Sequence, residues 1–193
     1  MYHLYNTRGF ILRSVNIGEA NKLFFIFTEK MGLLSASAQS VRKAASKLRY
    51  ALHDFSLVRV SLIRGKTSWR LTDAEEIISF SPAREGEKAK VFAGILFLVR
   101  RLVHGEEENK KLFSVLLHAS AFLKKEDFAS DEMKRLETLV VLKILASLGY
   151  VGGNKSLAPF ISETLSKTNL LAFESVRRDA LREINRALEE SQL

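Results

Sequence analysis

The spacing of hydrophobic residues changes near residue 80. Before that point the apolar runs are short and rich in aromatic and β-branched residues, and glycines such as Gly32 and Gly65 separate them. The segment 55–64 alternates hydrophobic and polar positions, as a strand with one buried face does. The pattern predicts five strands, at residues 9–13, 23–28, 33–38, 55–64 and 69–78.

A short helix is predicted over residues 44–52, between the third and fourth strands. Five strands interrupted at this point are the layout of an OB-fold barrel. An SH3-like barrel or a small β-sandwich fits the strand count nearly as well, so the pattern favours the OB-fold barrel without excluding the other two.

The chain after residue 80 has helical periodicity. Pro82 marks the break, because proline restrains its own backbone and that of the residue before it. Asp131 is the predicted N-cap and Gly149 the predicted C-terminal end of a helix that is apolar nearly all round, and such a helix lies at the centre of a bundle. We predict an α+β protein, with an OB-fold domain over 1–79 and an all-helical domain over 80–193. The predicted helices are 86–103, 109–123, 131–148, 159–167 and 173–188.

Positive charge is concentrated in the predicted barrel. Residues 1–79 contain 12 Lys and Arg against six Asp and Glu, and Asp54 is the one acidic residue between positions 42 and 70. Clustered like charge repels itself in a compact chain, which favours a polyanionic partner over a merely solvated basic surface. The candidate phosphate contacts are Arg8, Lys22, Arg42, Lys43, Lys47, Arg49, Arg59, Arg64, Lys66 and Arg70.

Three aromatic residues lie among these cations and are candidates for stacking on nucleic-acid bases: Trp69, Tyr50 and Phe55. The competing interpretation for each is core packing, which we favour for Phe55. In the last predicted helix, Arg178, Arg182 and Arg186 lie opposite the apolar stripe. They would extend a DNA track or bind an acidic peptide. The simpler interpretation, a solvated face partly paired with Glu174 and Glu183, is favoured.

The sequence contains no recognisable catalytic or cofactor motif. It has no cysteine, no histidine pair at metal-ligand spacing, no glycine-rich phosphate loop and no nucleophile elbow. A magnesium-dependent nuclease using Glu75 and Glu76 is the weak enzymatic alternative, and we expect no such cleavage. We therefore predict a non-catalytic protein without metal or cofactor.

Neither a signal peptide nor a membrane span is predicted. The N-terminus lacks a basic start followed by an apolar run, and the longest apolar run covers residues 91–99, whereas a spanning helix needs about 20 residues. Together with the basic charge, this predicts a cytoplasmic, nucleoid-associated protein.

Several segments, in order, resemble a known family. The runs RGFILR at 8–13, GEANKL at 18–23, FTEKMG at 27–32 and VRKAASKL at 41–48 look like successive N-terminal motifs of the RecO family of recombination mediators. The run LKILASLGY at 142–150 is similar to a family helix that ends in L-L-G-Y. The order and spacing of these motifs hold over roughly the first 150 residues.

The resemblance implies an OB fold followed by a helical domain. It implies binding of single- and double-stranded DNA, annealing of complementary strands and help in loading RecA onto DNA coated by single-strand binding protein. The implied protein partners are RecR and the acidic C-terminal tail of single-strand binding protein, and the basic segment that matches the family is Arg42, Lys43 and Lys47. Many members follow the L-G-Y helix with a cysteine-rich zinc module, which this chain lacks. A scaffold that binds RNA or an acidic protein is the alternative function.

Overall fold

The computed structural model describes residues 3–191. Its first part is a closed five-stranded barrel with the strand order β1-β2-β3-β5-β4, in which β4 pairs back to β1. All neighbouring strands are antiparallel except β3 and β5, which pair in parallel. This is the OB-fold architecture, so the predicted fold class is confirmed. The strands are β1 (Leu4–Ile17), β2 (Asn21–Thr28), β3 (Gly32–Ala38), β4 (Leu57–Arg64) and β5 (Trp69–Ile78).

Alternation along the strands fills the barrel. In β4 the side chains of Val58, Val60 and Leu62 are fully buried while Arg59 between them is exposed. Strand β2 places Phe24 and Ile26 in the same core. Successive strand residues point to opposite faces, so this period of two separates an apolar interior from a charged exterior.

Three features of the barrel differ from the sequence prediction. Strand β1 covers Leu4–Ile17 and extends beyond the predicted 9–13 at both ends. The helix α1 between β3 and β4 is a single turn, Leu48–Ala51, and not the nine residues predicted. Phe55 has a positive φ of 64° and its backbone N–H donates to the carbonyl of Ile11 at 2.8 Å, so β4 starts two residues later than predicted. A local turn overrides the strand propensity of Phe55 at this position.

The second part of the chain is helical. The helices are α2 (Pro82–Leu102), α3 (Lys110–Lys125), α4 (Ser130–Ser147), α5 (Ala158–Ser162), α6 (Lys167–Ala172) and α7 (Arg177–Glu190), with a 3₁₀ turn at Phe173–Val176. Helix α4 contacts α5, α6, the 3₁₀ turn and α7, and residues such as Leu136 and Leu145 are fully buried. The prediction that this helix lies centrally is confirmed.

Some helix ends differ from the prediction. The N-cap of α4 is Ala129, and its backbone N–H donates to the Glu132 carboxylate at 2.9 Å, so Asp131 belongs to the first turn of the helix. The predicted helix 159–167 ends at Ser162, and a new helix starts at Lys167. Gly149 adopts the predicted left-handed conformation, with φ 84°.

The chain divides into two compact units. The first consists of residues 1–89 together with 103–110, and the second of residues 90–102 together with 111–193. The loop that joins α2 to α3 therefore belongs to the barrel unit, although it is distant in sequence. Within residues 3–191, none of the helices has the length and apolar character needed to cross a membrane.

Candidate nucleic-acid interface

A pocket in the barrel unit is lined by three of the predicted phosphate contacts. Lys22, Arg42 and Arg49 surround a cavity of about 230 Å³, which we call the basic pocket. Its other lining residues are apolar and nearly inaccessible: Phe24 is fully buried, and Val41 and Leu52 are 3% and 5% exposed.

The cations reach the basic pocket from β2 and from two points of the β3–β4 connection. Lys22 lies two residues before Phe24 on β2, so both side chains are on the same face of the strand. The backbone N–H of Arg42 donates to the carbonyl of Ala20 at 3.0 Å, which joins the connection after β3 to the β1–β2 turn. Arg49 is carried by α1.

Hydrogen bonds orient two of these side chains. Nη1 of Arg42 donates to the carbonyl oxygen of Gly18 at 2.9 Å, which leaves its other N–H groups for a ligand. Nζ of Lys22 donates weakly to Oγ of Ser14 at 3.4 Å and lies 5.9 Å from the ring centre of Phe24. In the described part of the chain, none of the three pocket cations forms an ion pair.

Three other predicted contacts are neutralised by carboxylates. Arg8 makes a two-pronged contact with Glu29, at 2.9 and 2.6 Å. The Arg8 hydrogen bond lowers the pKa of Glu29 despite the opposing effect of burial. Arg59 pairs with Glu75, and Arg64 lies 3.6 Å from Glu106. We call these the paired cations; they have less free charge to offer a phosphate than the basic pocket has.

The remaining predicted cations are exposed. Lys43 and Lys47 follow Arg42 on the segment between β3 and β4. Lys66 lies in the β4–β5 turn, and Arg70 is the second residue of β5. Their side chains make no ion pair among residues 3–191, and they do not line the basic pocket.

The structure corrects the stacking role predicted for Trp69. This side chain is 4% exposed and belongs to the barrel core, where it packs edge-on against Tyr5 with ring centres 5.1 Å apart. Its Nε1–H donates to the carboxylate of Glu106 at 2.9 Å, and Arg64 covers its ring at 5.2 Å. A tryptophan enclosed in this way has no free face for a base.

Tyr50 is the aromatic residue that stacking would use. Its side chain is 72% exposed, and it lies directly after Arg49. Phe55 is half-buried and lies in the turn before β4, which agrees with the packing interpretation favoured for it.

Sequence reasoning missed the loop 103–110 as part of the barrel. The backbone N–H of Leu33 donates to the carbonyl of Gly105 at 3.0 Å. Gly32 has φ 65°, and a side chain there would overlap the backbone of Glu107. The carboxylate of Glu106 in this loop accepts from the indole N–H of Trp69 at 2.9 Å and lies 3.6 Å from Arg64. Gly32 was the only local signal, and it predicted a turn rather than a close approach.

Comparison with known proteins agrees with this architecture. Residues 1–80 match the family model "Recombination protein O N terminal". A DNA repair protein RecO from Dehalococcoides mccartyi strain ATCC BAA-2266 is 30% identical over 174 residues, covering 90% of this chain and 67% of that protein. The chain belongs to the RecO family. The resemblance drawn from the motifs is confirmed.

Other members of the RecO family show similar coverage. The DNA repair protein RecO of Rubrobacter xylanophilus is 31% identical over 148 residues, which are 76% of this chain and 58% of that protein. That of Alkaliphilus metalliredigens is 28% identical over 173 residues, which are 89% of this chain and 68% of the relative. The chain thus spans roughly three fifths to two thirds of the length of these relatives.

The two adjacent carboxylates Glu75 and Glu76 of this RecO-family chain have separate partners. Glu75 accepts from Arg59, whereas Glu76 accepts from Oγ of Ser79 at 2.7 Å and lies 3.9 Å from the ring of His53. Residues 3–191 contain no group of three or more His, Asp and Glu side chains positioned for a metal ion.

Three arginines of α7, Arg178, Arg182 and Arg186, are exposed on the face opposite its buried residues Ala180 and Ile184. Arg182 pairs with Asp179, and Arg186 pairs with Glu183 at 2.5 Å. Glu174, expected to pair within this face, instead contacts Arg135 at 2.8 Å and Arg177 at 3.7 Å. Two of the three predicted partner-binding residues, Arg178, Arg182 and Arg186, are therefore partly neutralised within their own helix.

Proposed function

We propose that this RecO-family chain is a DNA repair and recombination mediator that binds single- and double-stranded DNA through its barrel. The observation that carries the proposal is the basic pocket, where three cations converge without a carboxylate. Lys43, Lys47, Lys66 and Arg70 add phosphate contacts on the adjacent connections. The paired cations contribute less, because a phosphate must compete with a carboxylate already in place.

The proposed activity is annealing of complementary strands, without bond chemistry. Positive side chains neutralise the two phosphate backbones, and base edges stay free to pair, because the barrel offers exposed cations and the exposed Tyr50 rather than a deep base-reading site. Stacking on Tyr50 is sequence-tolerant, since every base has a π-face. The protein would act on DNA of any sequence, as annealing requires.

We also propose that the protein helps to load RecA onto DNA coated by single-strand binding protein. Its proposed protein partners are RecR and the acidic tail of single-strand binding protein. Arg178, Arg182 and Arg186 are the candidate contacts for the acidic tail. Reversing all three charges is expected to weaken binding of a tail peptide while leaving DNA binding by the barrel intact. An unchanged peptide affinity would remove this surface from the proposal.

The salt dependence of single-strand binding tests the central claim. If about six phosphates are neutralised, the logarithm of the binding constant falls with the logarithm of salt concentration with a slope near −4, from about −0.7 per contact. Replacing Arg42, Lys43 and Lys47 with glutamine should bring that slope to about −2 and slow annealing. The matched control is Arg59→Gln, because Arg59 is already paired with Glu75. A slope near zero in the unmodified chain would refute electrostatic binding.

A second measurement separates DNA from RNA as the partner. Affinities for single-stranded DNA, double-stranded DNA and RNA of one length are compared at one salt concentration. Much tighter binding to RNA would favour the scaffold alternative over the DNA mediator.

A further inference from the structure

The basic pocket differs from an ordinary basic surface in how its charges are arranged. A nucleic-acid track places cations side by side along a backbone, one near each phosphate. Here Lys22 on β2 and two arginines of the β3–β4 connection, Arg42 and Arg49, line one cavity. Glu19, in the β1–β2 turn three residues before Lys22, does not line it. Three positive side chains therefore line one cavity that has no carboxylate in its lining.

The walls of the cavity strengthen this arrangement. Phe24, Val41 and Leu52 are almost inaccessible to water and form its apolar lining. Charge interactions are stronger beside an apolar wall than in open water, because the local dielectric constant is lower. Arg42 is already oriented by the carbonyl of Gly18, and the Arg49 side chain makes no hydrogen bond within the described residues. Both guanidinium groups therefore have N–H donors available for an anion.

The charge and the volume of the cavity limit which ligand groups it can bind. An internal phosphodiester carries one negative charge, whereas a phosphomonoester carries about −1.5 to −2 at neutral pH. Convergence of three cations matches the more highly charged group. A volume of about 230 Å³ lies below the roughly 300–1,000 Å³ of pockets that enclose whole drug-sized ligands. The cavity therefore fits a phosphorylated end group, and not an entire nucleoside triphosphate.

We propose that the basic pocket binds the terminal phosphomonoester of a nucleic-acid strand in preference to internal phosphodiesters. This inference rests on the proposed DNA-binding function and adds to it recognition of a strand end. In that arrangement the terminal phosphate occupies the pocket, while Lys43 and Lys47 on the adjoining connection contact the backbone that leads away from it.

The test compares three single-stranded oligonucleotides of one sequence, with a 5′-phosphate, a 3′-phosphate or hydroxyls at both ends. Binding is followed by fluorescence anisotropy at one ionic strength, with the dye placed on an internal base. We expect one of the two phosphorylated strands to bind about fivefold to tenfold more tightly than the hydroxyl strand, a difference in the range of one well-placed charge interaction. Inorganic phosphate should reduce this preference more than chloride at equal ionic strength.

Two variants assign the preference to the pocket. Arg42→Gln and Arg49→Gln should each remove most of the preference, because each should weaken binding of the phosphorylated strand more than binding of the hydroxyl strand. Arg59→Gln is the matched control and should keep the preference. Because Arg42 and Arg49 are exposed, both variants should unfold at the same denaturant concentration as the unmodified chain, and this is measured alongside.

The outcomes separate this inference from the proposed function. Equal affinity for all three strands, or a preference that persists in both glutamine variants, would overturn end recognition and leave general DNA binding standing. Absence of binding to all three strands would overturn the proposed function and the inference with it.

Discussion

The two ends of the sequence segment 49–70 each bring an aromatic residue together with cations, yet the fold treats them in opposite ways. Tyr50, beside Arg49, is 72% exposed, whereas Trp69, between Lys66 and Arg70, is 4% exposed. Trp69 points inward because of its position in β5, where it pairs with buried Ala36. Tyr50 lies on a one-turn helix. The side of β5 on which Trp69 lies, and not the cations beside it in sequence, encloses its ring in the core. Tyr50 is therefore the aromatic residue of the two that remains accessible to a base.

The carboxylates follow the same division. Glu29, Glu75 and Glu106 each neutralise a paired cation, and Glu106 also accepts the Trp69 indole N–H. The basic pocket has no carboxylate in its lining. The paired cations are thus neutralised within the fold, whereas the cations of the basic pocket have no carboxylate beside them in its lining.

The largest effect is expected at Trp69. Replacing it with alanine should lower the free energy of unfolding by about 3–5 kcal/mol, as for other large buried aromatic residues. Urea denaturation measures the change, and Trp69→Phe should cost less because the ring is partly retained. Trp69 is the single tryptophan of the chain, so its fluorescence should barely respond to single-stranded DNA. Strong quenching of this fluorescence by DNA would show that Trp69 stacks on a base, and would contradict the contrast drawn between Trp69 and Tyr50.

A smaller loss of stability is expected at Gly32. Replacing it with alanine should cost about 2 kcal/mol or more, because a left-handed backbone is strained for other residues and the added Cβ would overlap Glu107. Gly18→Ala is the matched control, since Gly18 has φ 58° but nothing within 4 Å of an added Cβ. Equal losses in urea denaturation would show that the loop 103–110 does not hold the barrel.

Tyr50 should affect binding and not stability. Replacing it with alanine is expected to weaken single-strand binding by about 1–3 kcal/mol, the range for loss of one stacked base. The midpoint of urea denaturation should stay unchanged, because the side chain is mostly exposed. Tyr50→Phe, which keeps the ring, should restore affinity. Loss of stability without loss of affinity would reverse the roles assigned to Tyr50 and Trp69.

The smallest effect is expected from a paired cation. Arg8 lowers the pKa of Glu29 in the folded chain, so this pair stabilises the fold above the unfolded pKa of a glutamate, about 4.3, and the contribution is lost as pH falls through the folded pKa. Glu29→Gln should cost about 0.2–1 kcal/mol at pH 7 and nothing near pH 2. Urea denaturation at both pH values measures it. An equal loss of stability at both pH values would show that the negative charge of Glu29 does not stabilise the fold.

Much of the barrel could be predicted from local pattern. The five strands, the connection between β3 and β4, and the change to helices near Pro82 follow from residue spacing, because alternation and helical periodicity record which side of an element is buried. The helix at 159–167 was less predictable. It divides because Ser166 caps a new helix, accepting from the backbone N–H of Asn169 at 3.1 Å.

The candidate site was predicted as a set of residue types rather than as an arrangement. The positive cluster could be counted, but Lys22 is 20 residues from Arg42, and the pairing of β2 with β3, which places Lys22 opposite Ala38, brings both to one cavity. The pairing of Arg64 with Glu106 spans 42 positions and has no local signature.

By itself, the chain's order of residues determined a basic barrel followed by helices and its membership of the RecO family, because those properties reside in short-range periodicity and in contiguous motifs. Only the tertiary structure decided which cations stay free, which aromatic residue is enclosed and which loop belongs to the barrel. The physical reason is that charge neutralisation and burial depend on distances between side chains. The packing of strands and loops sets those distances, whatever the separation of the residues along the sequence.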